Sequence, residues 1–383
     1  MMIAAVLAAD GAVVVVHSPS KPVHSTPTRT ASSGDPARSA TTTAPAPVAP
    51  HVLFTVTTNG VAGVFAAFPD GTEVAPLTAP AVPTDQISQR ARRIVYHKVI
   101  DGQATPFSGC GVGGCTSGYV SSREADIVLA NLDGTGEQQL TSGGYDIDPT
   151  FSPDGTTIAF LRHTVRQGQA DVDVIVLMTT AGSVTAVFEP EAGYSYRSPV
   201  WSPDGRTLAA PRSSTTVPAD QPGASGVFLV PIDGSDPVQV AEGSYRQLAW
   251  SHNQRDLAGV RVRYVDYGRQ WQQGDHVSGE DVWIIPLDGS PPTNATNVAP
   301  ARDLFVSECG SYGSVLVRAT NPTWSPDDSM LAVLTNAQHT TELGETQDVA
   351  VVNADGSDLR FVYQVPASEC GTADPPVTLL GWR

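Results

Sequence analysis

Asp148-Pro-Thr-Phe-Ser-Pro-Asp-Gly-Thr-Thr-Ile-Ala-Phe-Leu-Arg-His163 is the stretch that decides the fold, because the chain repeats it. It returns as Ser198-Pro-Val-Trp-Ser-Pro-Asp-Gly-Arg-Thr-Leu-Ala-Ala-Pro-Arg-Ser213 and as Asn321-Pro-Thr-Trp-Ser-Pro-Asp-Asp-Ser-Met-Leu-Ala-Val-Leu-Thr-Asn336. A decayed copy runs Gln247-Leu-Ala-Trp-Ser-His-Asn-Gln-Arg-Asp-Leu-Ala-Gly-Val-Arg-Val262. Each copy reads as a hairpin: a short strand ending on an aromatic, a Ser-Pro-Asp-Gly turn, then a β-rich strand. Proline presets φ at the first turn position and glycine supplies a positive φ later in it. A period of this size points to a propeller or another repeat array.

The rest of each repeat is an apolar strand ending in Asp-Gly. The copies are Val64–Gly71, Ile127–Gly134, Val227–Gly234, Val282–Gly289 and Val349–Gly356, and a sixth, Val174–Gly182, has lost its Asp. Several lead into a fourth strand, such as Gln138-Gln-Leu-Thr141. Four strands per unit joined by Asp-Gly turns make a propeller blade. The pair Trp-Ser-Pro-Asp-Gly and Asn/Asp-x-Asp-Gly resembles the TolB-type propeller repeat, which also occurs in the propellers of prolyl-oligopeptidase-like enzymes. The resemblance covers residues 51–383. It implies an all-β, six-bladed β-propeller and says little about activity, because one fold hosts many functions.

Blade one has His51–Thr57, Val64–Asp70 and a strand near Leu77, but no first strand of its own. Val377-Thr-Leu-Leu-Gly-Trp382 matches the strands that end in Trp201 and Trp324, so the C-terminus is expected to close the ring. Closure removes sheet edges that would invite aggregation. Blade two carries a worn hairpin, Asp85–His97, and blades three to six take the remaining repeats in order.

Ahead of the propeller, residues 1–16 are apolar but contain Asp10 and Gly11, with no Lys or Arg in front. They fall short of a secretory signal, which wants a basic start, and of a spanning helix, which wants about 20 apolar residues. The segment reads as a degenerate signal or anchor, or as a start placed downstream of the true one. Residues 17–50 collapse to Ser, Thr, Pro and Ala, a composition that cannot bury enough apolar surface to order itself and reads as a disordered stalk. Together these imply an extracytoplasmic protein, secreted or tethered to a membrane through its N-terminus at a bacterial cell envelope. An unprocessed cytoplasmic tail is the plainer alternative.

The 383 residues include 35 Gly, 31 Pro and four Cys, and carry a formal charge of −17 with no basic run. That balance excludes nucleic acid and anionic membrane as partners. Cys110 and Cys115 fall in the loop between the second and third strands of blade two. Cys309 and Cys370 lie in matching Ser-Glu-Cys-Gly tracts that lead into inner strands of neighbouring blades. The expected disulfides are Cys110–Cys115 and Cys309–Cys370, in keeping with an oxidising compartment. A zinc site would need tighter matched spacing.

Signs of catalysis are sparse. The sequence has no Gly-x-Ser-x-Gly elbow, no His-Glu-x-x-His and no acidic calcium loop. Asp146/Asp148 and Asp171/Asp173 read as turn acids before metal ligands, and no metal or cofactor is expected. A repeat-phased feature is sharper. Ten residues after each turn serine stand Lys98, Arg162, Arg212 and Arg261, with Thr335 in the fifth copy. Four residues before the same serine stand Thr84, Asp148, Ser198, Gln247 and Asn321. A basic ring of Lys98, Arg162, Arg212 and Arg261 around a polar mouth that includes Asp148 and Asn321 could capture a carboxylate-bearing peptide or glycan. The same arginines could instead pair with acids and only staple blades.

Three functions compete. The leading one is a non-enzymatic, monomeric binding scaffold that holds a protein partner or cell-envelope ligand on its loop-rich face, including 109–118 and 264–276. A lyase or hydrolase acting on a carbohydrate or peptide in the central funnel is the second, and would need a convergent His/Asp/Glu set. The sensor domain of a larger membrane protein is the third.

Overall fold

A computed structural model describes residues 50–382, apart from connecting segments 59–60, 78–86, 89–91, 101–103, 112–113, 122–123, 133, 167–170, 218–220, 266–276, 299–303, 309–310, 316, 337–347 and 366–376. Ahead of residue 50 it describes only two paired strands, Ala4–Leu7 and Val13–Val16. All regular elements in the described residues are strands, and they form a six-bladed β-propeller.

Blade three shows the plan. Asp146–Phe151 lies innermost, followed outward by Thr157–Thr164, Val172–Thr179 and Val184–Phe188. The two middle strands are buried on both faces and are near-continuous apolar runs, whereas the outer strand is largely exposed. Blades five and six repeat the plan from Tyr245–Trp250 and Ala319–Trp324. In blade four the inner strand is broken into Tyr194–Tyr196 and Val200–Trp201. In blade two it shrinks to Ile87–Ser88, paired with Arg93–Ile100.

The C-terminus closes the ring as expected. Val377–Trp382 pairs with Val52–Thr58, in a register that sets Trp382 opposite Val52 and Val377 opposite Val56. Two hairpins stand outside the blades. Leu304–Glu308 with Ser311–Val315 lies between blades five and six, and no sequence feature announced it. Ala104–Gly111 with Gly114–Ser121 replaces the expected loop of blade two and makes Cys110 and Cys115 direct cross-strand partners. Cys309 and Cys370 lie outside the described residues.

Because each strand's side chains alternate, a blade can pack on both neighbours. In blade six Leu331 and Val333 face blade five, while Ala332 and Leu334 face blade one. Five apolar clusters fill the interfaces from blade two round to blade one. At the inner edge the four interfaces from blade three round to blade one each carry a polar link. The indole Nε1–H of Trp201 donates to the carbonyl of Thr150 at 3.3 Å, and that of Trp250 to Val200 at 3.2 Å. Trp324 donates to Ala249 at 3.1 Å, and Trp382 to Thr323 at 2.9 Å. Each acceptor is the residue just before the aromatic of the preceding blade.

The Ser-Pro-Asp-Gly turns are held by their serine. The Ser202 hydroxyl, fully buried, donates to Asp204 at 2.7 Å and accepts the Thr207 N–H at 3.0 Å. Ser152, Ser251 and Ser325 repeat this. The serine hydroxyl holds the Asp204 and Asp327 carboxyls below the usual carboxylate range, helped by backbone N–H donors.

One pair of turns departs from the rule together. Where blade four meets blade three, the turn glycine Gly205 sits against the turn proline Pro153, which a Cβ would approach to 3.5 Å. Blade five has His252 at the proline position and blade six has Asp328 at the glycine position. Asp328 accepts the His252 N–H at 2.7 Å, its ring Nδ1–H at 2.9 Å and the Asn253 N–H at 2.8 Å. A proline at 252 would lack that first donor. Asp328 stands at a φ of 59°, a left-handed conformation that aspartate tolerates better than most residues.

Two outcomes follow in chemical denaturation. Trp382→Ala should cost about 3 kcal/mol by opening a void at the closing interface, whereas Trp382→Phe, losing mainly the indole hydrogen bond, should cost about 1 kcal/mol. Equal losses would mean that ring burial contributes nothing, and an unchanged Trp382→Phe that the indole bond contributes nothing. Second, His252→Pro and Asp328→Gly should each destabilise, while the double variant, restoring the contact of blades three and four, should recover about 1–2 kcal/mol of the summed loss. Simple additivity would show that the two departures are independent.

Candidate functional site

The inner strands of blades three, four, five, six and one surround a central cavity of about 890 Å³. Its walls are apolar for most of their length, from Pro149, Leu248 and Pro322 to Leu380. Near one end it is ringed by Asp148, Ser198, Gln247 and Asn321, and at the other by the turn residues Pro153, Pro203, His252 and Pro326.

The polar ring is built by an irregularity repeated in each inner strand. Pairing slips between Ile147 and Thr150, between Arg246 and Ala249, and between Thr320 and Thr323, and in blade four the strand breaks between Tyr196 and Val200. A bulge re-aims a side chain. Here both residues of each irregular pair line the cavity, the first with its polar side chain at least partly exposed and the second, Pro149, Pro199, Leu248 or Pro322, buried. Asp148, Gln247 and Asn321 hold φ of 53°, 51° and 54°, left-handed values that cost a non-glycine residue about 1–2 kcal/mol. Neighbouring members touch: Ser198 Oγ donates to Asp148 Oδ2, and Gln247 Oε1 accepts the Asn321 N–H at 3.0 Å.

The basic positions lie elsewhere. Asp148 and Asn321 line the cavity, but Lys98, Arg162, Arg212 and Arg261 do not. They stand on second strands, one strand removed from the axis, so their side chains lie across blade faces. Arg162 grips Asp146 through Nε and Nη2, each at 2.8 Å, and Asp146 is 1% exposed. Arg212 reaches Glu191 at 3.4 Å and stacks 3.7 Å from the Phe228 ring centroid. Arg261 stacks 4.7 Å from Trp283, and Lys98 pairs with Glu137 at 3.3 Å. These contacts hold each basic residue against its own blade or the connector that enters it.

Sequence reasoning missed the acids that open the third strands. Asp126, Asp281 and Asp348 each precede the apolar run ending in Asp-Gly, and each is at most 1% exposed. Asp281 accepts the Thr296 hydroxyl at 3.1 Å and the Val298 N–H at 2.7 Å, and Asp348 accepts the Val365 N–H at 2.8 Å. They tie the chain leaving each blade back to its third strand. Their common offset before the run was the available signal. Asp126 is only partly satisfied: Oδ2 accepts from Gln139 at 2.7 Å while Oδ1 is buried without a partner. Burial, then the charges of Asp146 and Glu124, push its pKa up.

No protein-family model matches this chain, and no curated protein does. Among solved structures, a candidate TolB from Agrobacterium tumefaciens is similar at 13% identity and a TM-score of 0.47, over 87% of this chain and 93% of that one. An oligogalacturonate lyase from Vibrio parahaemolyticus is similar at 10% identity and 0.46, over 76% and 71%. The tricorn protease is similar at 11% identity and 0.46, over 83% of this chain and 33% of that one.

Asp126 yields a pH test. Its folded pKa lies above its unfolded value, so its charged form costs stability above the folded pKa, and that cost fades as pH falls toward the unfolded value. Asp126→Asn should therefore raise stability near pH 7 by about 1 kcal/mol, the scale of one unsatisfied buried oxygen. The gain should vanish in melts below about pH 3, where both states are protonated. A variant less stable than wild type at pH 7 would show the charge to be satisfied.

Proposed function

We propose that this chain is a non-enzymatic binding propeller that holds its ligand at the mouth formed by Asp148, Ser198, Gln247 and Asn321. One observation carries the reading: the inner strands of blades three, five and six each place a non-glycine residue in left-handed backbone so that its polar side chain faces the cavity. Backbone strain of this kind persists at sites where it serves a ligand. The cavity volume lies within the ordinary range for ligand sites, roughly 300–1,000 Å³.

The reading includes work outside the cytoplasm, with an apolar leader or anchor at 1–16, a stalk at 17–50 and the propeller at 51–383. The Ser/Thr/Pro/Ala composition of the stalk and the direct cross-strand register of Cys110 and Cys115 support it. The partner is a protein or cell-envelope ligand.

Asn321→Gly separates binding from folding. It removes the side chain but keeps the N–H bonded to Gln247, and glycine accepts the left-handed φ without strain. Stability should stay within about 0.5 kcal/mol, since relieved strain offsets the extra freedom of the unfolded chain. Capture of partners from a cell-envelope extract should fall sharply. Unchanged capture would move the ligand to the outer loops.

A further inference from the structure

Resting on that reading, the charge of the cavity specifies what its ligand must carry. We infer that Asp148 is the recognition residue for a primary ammonium group, supplied by a polypeptide amino terminus or a lysine side chain.

Asp148 is the only Asp, Glu, Lys or Arg among the residues that line the cavity. Its one recorded partner is the neutral Ser198 hydroxyl, and among the described residues no lysine or arginine pairs with it. The cations that the repeat places nearby are all engaged. Arg162 is held by Asp146, Arg212 by Glu191 and two aromatic rings, and Arg261 by Tyr245 and Trp283. None of them lines the cavity.

The other ring members fit the same guest. The Gln247 oxygen is used by the Asn321 N–H, so that pair is fixed and the Asp148 carboxylate remains the ring's charged acceptor. The apolar walls below lower the local dielectric and strengthen a charge pair formed at the rim. A protein with a formal charge of −17 repels anions and draws cations toward a cleft that focuses its field. An anionic ligand would meet an unpaired carboxylate of its own sign, whereas an ammonium supplies three donors to it.

Isothermal titration with four short peptides tests this. The probes are tetra-alanine amide, its N-acetyl form, its N-succinyl form, and N-acetyl-Ala-Lys-Ala-Ala amide. Tetra-alanine amide should bind about tenfold tighter than its acetylated form, and the succinylated form should bind weakest. Binding of the lysine peptide distinguishes a side-chain ammonium from a terminal one. Asp148→Asn keeps the side-chain shape and an acceptor for Ser198, and asparagine tolerates the left-handed backbone. It should bring the tetra-alanine affinities within about twofold of one another, with an unchanged melting temperature. Rising salt should erode the wild-type preference.

Equal binding of the free and acetylated peptides, tighter binding of the succinylated one, or no binding of any probe overturns the ammonium assignment. If all probes bind equally and Asn321→Gly weakens them all, the cavity is still the binding site and only the charge assignment falls. If all bind equally and neither variant changes them, both readings fall.

Discussion

A four-stranded sheet that is apolar on both faces cannot stand alone, and this chain makes six of them. Each must be covered twice, which is possible in a closed ring where every face meets a neighbour. The indole hydrogen bonds set the register of that contact. Each of Trp201, Trp250, Trp324 and Trp382 buries a large ring and donates its N–H to the strand before it. A tryptophan in an apolar contact needs such a partner, and a misplaced blade would leave the donor unpaired at a cost of about 1–3 kcal/mol. Farther out the approach is set by glycines. A Cβ on Gly71 would meet the Phe361 carbonyl at 2.9 Å, and one on Gly356 would meet that of Asn294 at 3.3 Å. Indoles at the inner edge and Asp-Gly turns farther out together fix how the blades wedge.

These features explain what could be read from the sequence. The turn residues and indoles recur at fixed offsets because every interface asks for the same chemistry, so the repeat revealed blade count and C-terminal closure. Side-chain direction was harder to read. Arg162, Arg212 and Arg261 share an offset, but an offset does not say whether a residue faces the axis or the next blade. The bulges at Asp148, Gln247 and Asn321 turn residues that simple alternation would misplace, and a bulge has little signature of its own. The buried acids were hidden for another reason. An aspartate before an apolar strand looks like a turn residue until the strand's continuation folds back over it, as Val298 and Val365 do on Asp281 and Asp348.

Charge is distributed with a similar economy. Most of the surplus acids stand on turns and loops, where water and backbone N–H groups meet them. The buried ones are met by a cation, as Arg162 meets Asp146, or by hydroxyl and amide donors, as at Asp281. Asp126 is satisfied on one oxygen only. The basic residues are thereby spent on the blades and do not reach the cavity. That is why a ring of arginines in the sequence becomes a cavity whose rim holds a single carboxylate.

The repeat also decays unevenly, and the pattern of decay separates structure from function. His252 and Asp328 changed at two positions that touch across an interface, and the new pair makes bonds that the proline–glycine contact never had. A position facing another blade is coupled to what it meets there, and this pair departs from the repeat together. Gln254 shows the unpaired case: it holds a φ of 62° at a turn-glycine position without acquiring a comparable link. The four rim residues obey neither rule. Asp148, Ser198, Gln247 and Asn321 differ in every copy, while the residues that follow them stay buried. The bulge supplies the direction and the buried neighbour anchors it, so the rim side chain varies while the bulge is kept, and its contacts across blades, Ser198 with Asp148 and Gln247 with the Asn321 N–H, stay within the ring. Of the repeat positions, this ring combines a kept backbone geometry with a changing side chain, and it is where the ligand can be specified.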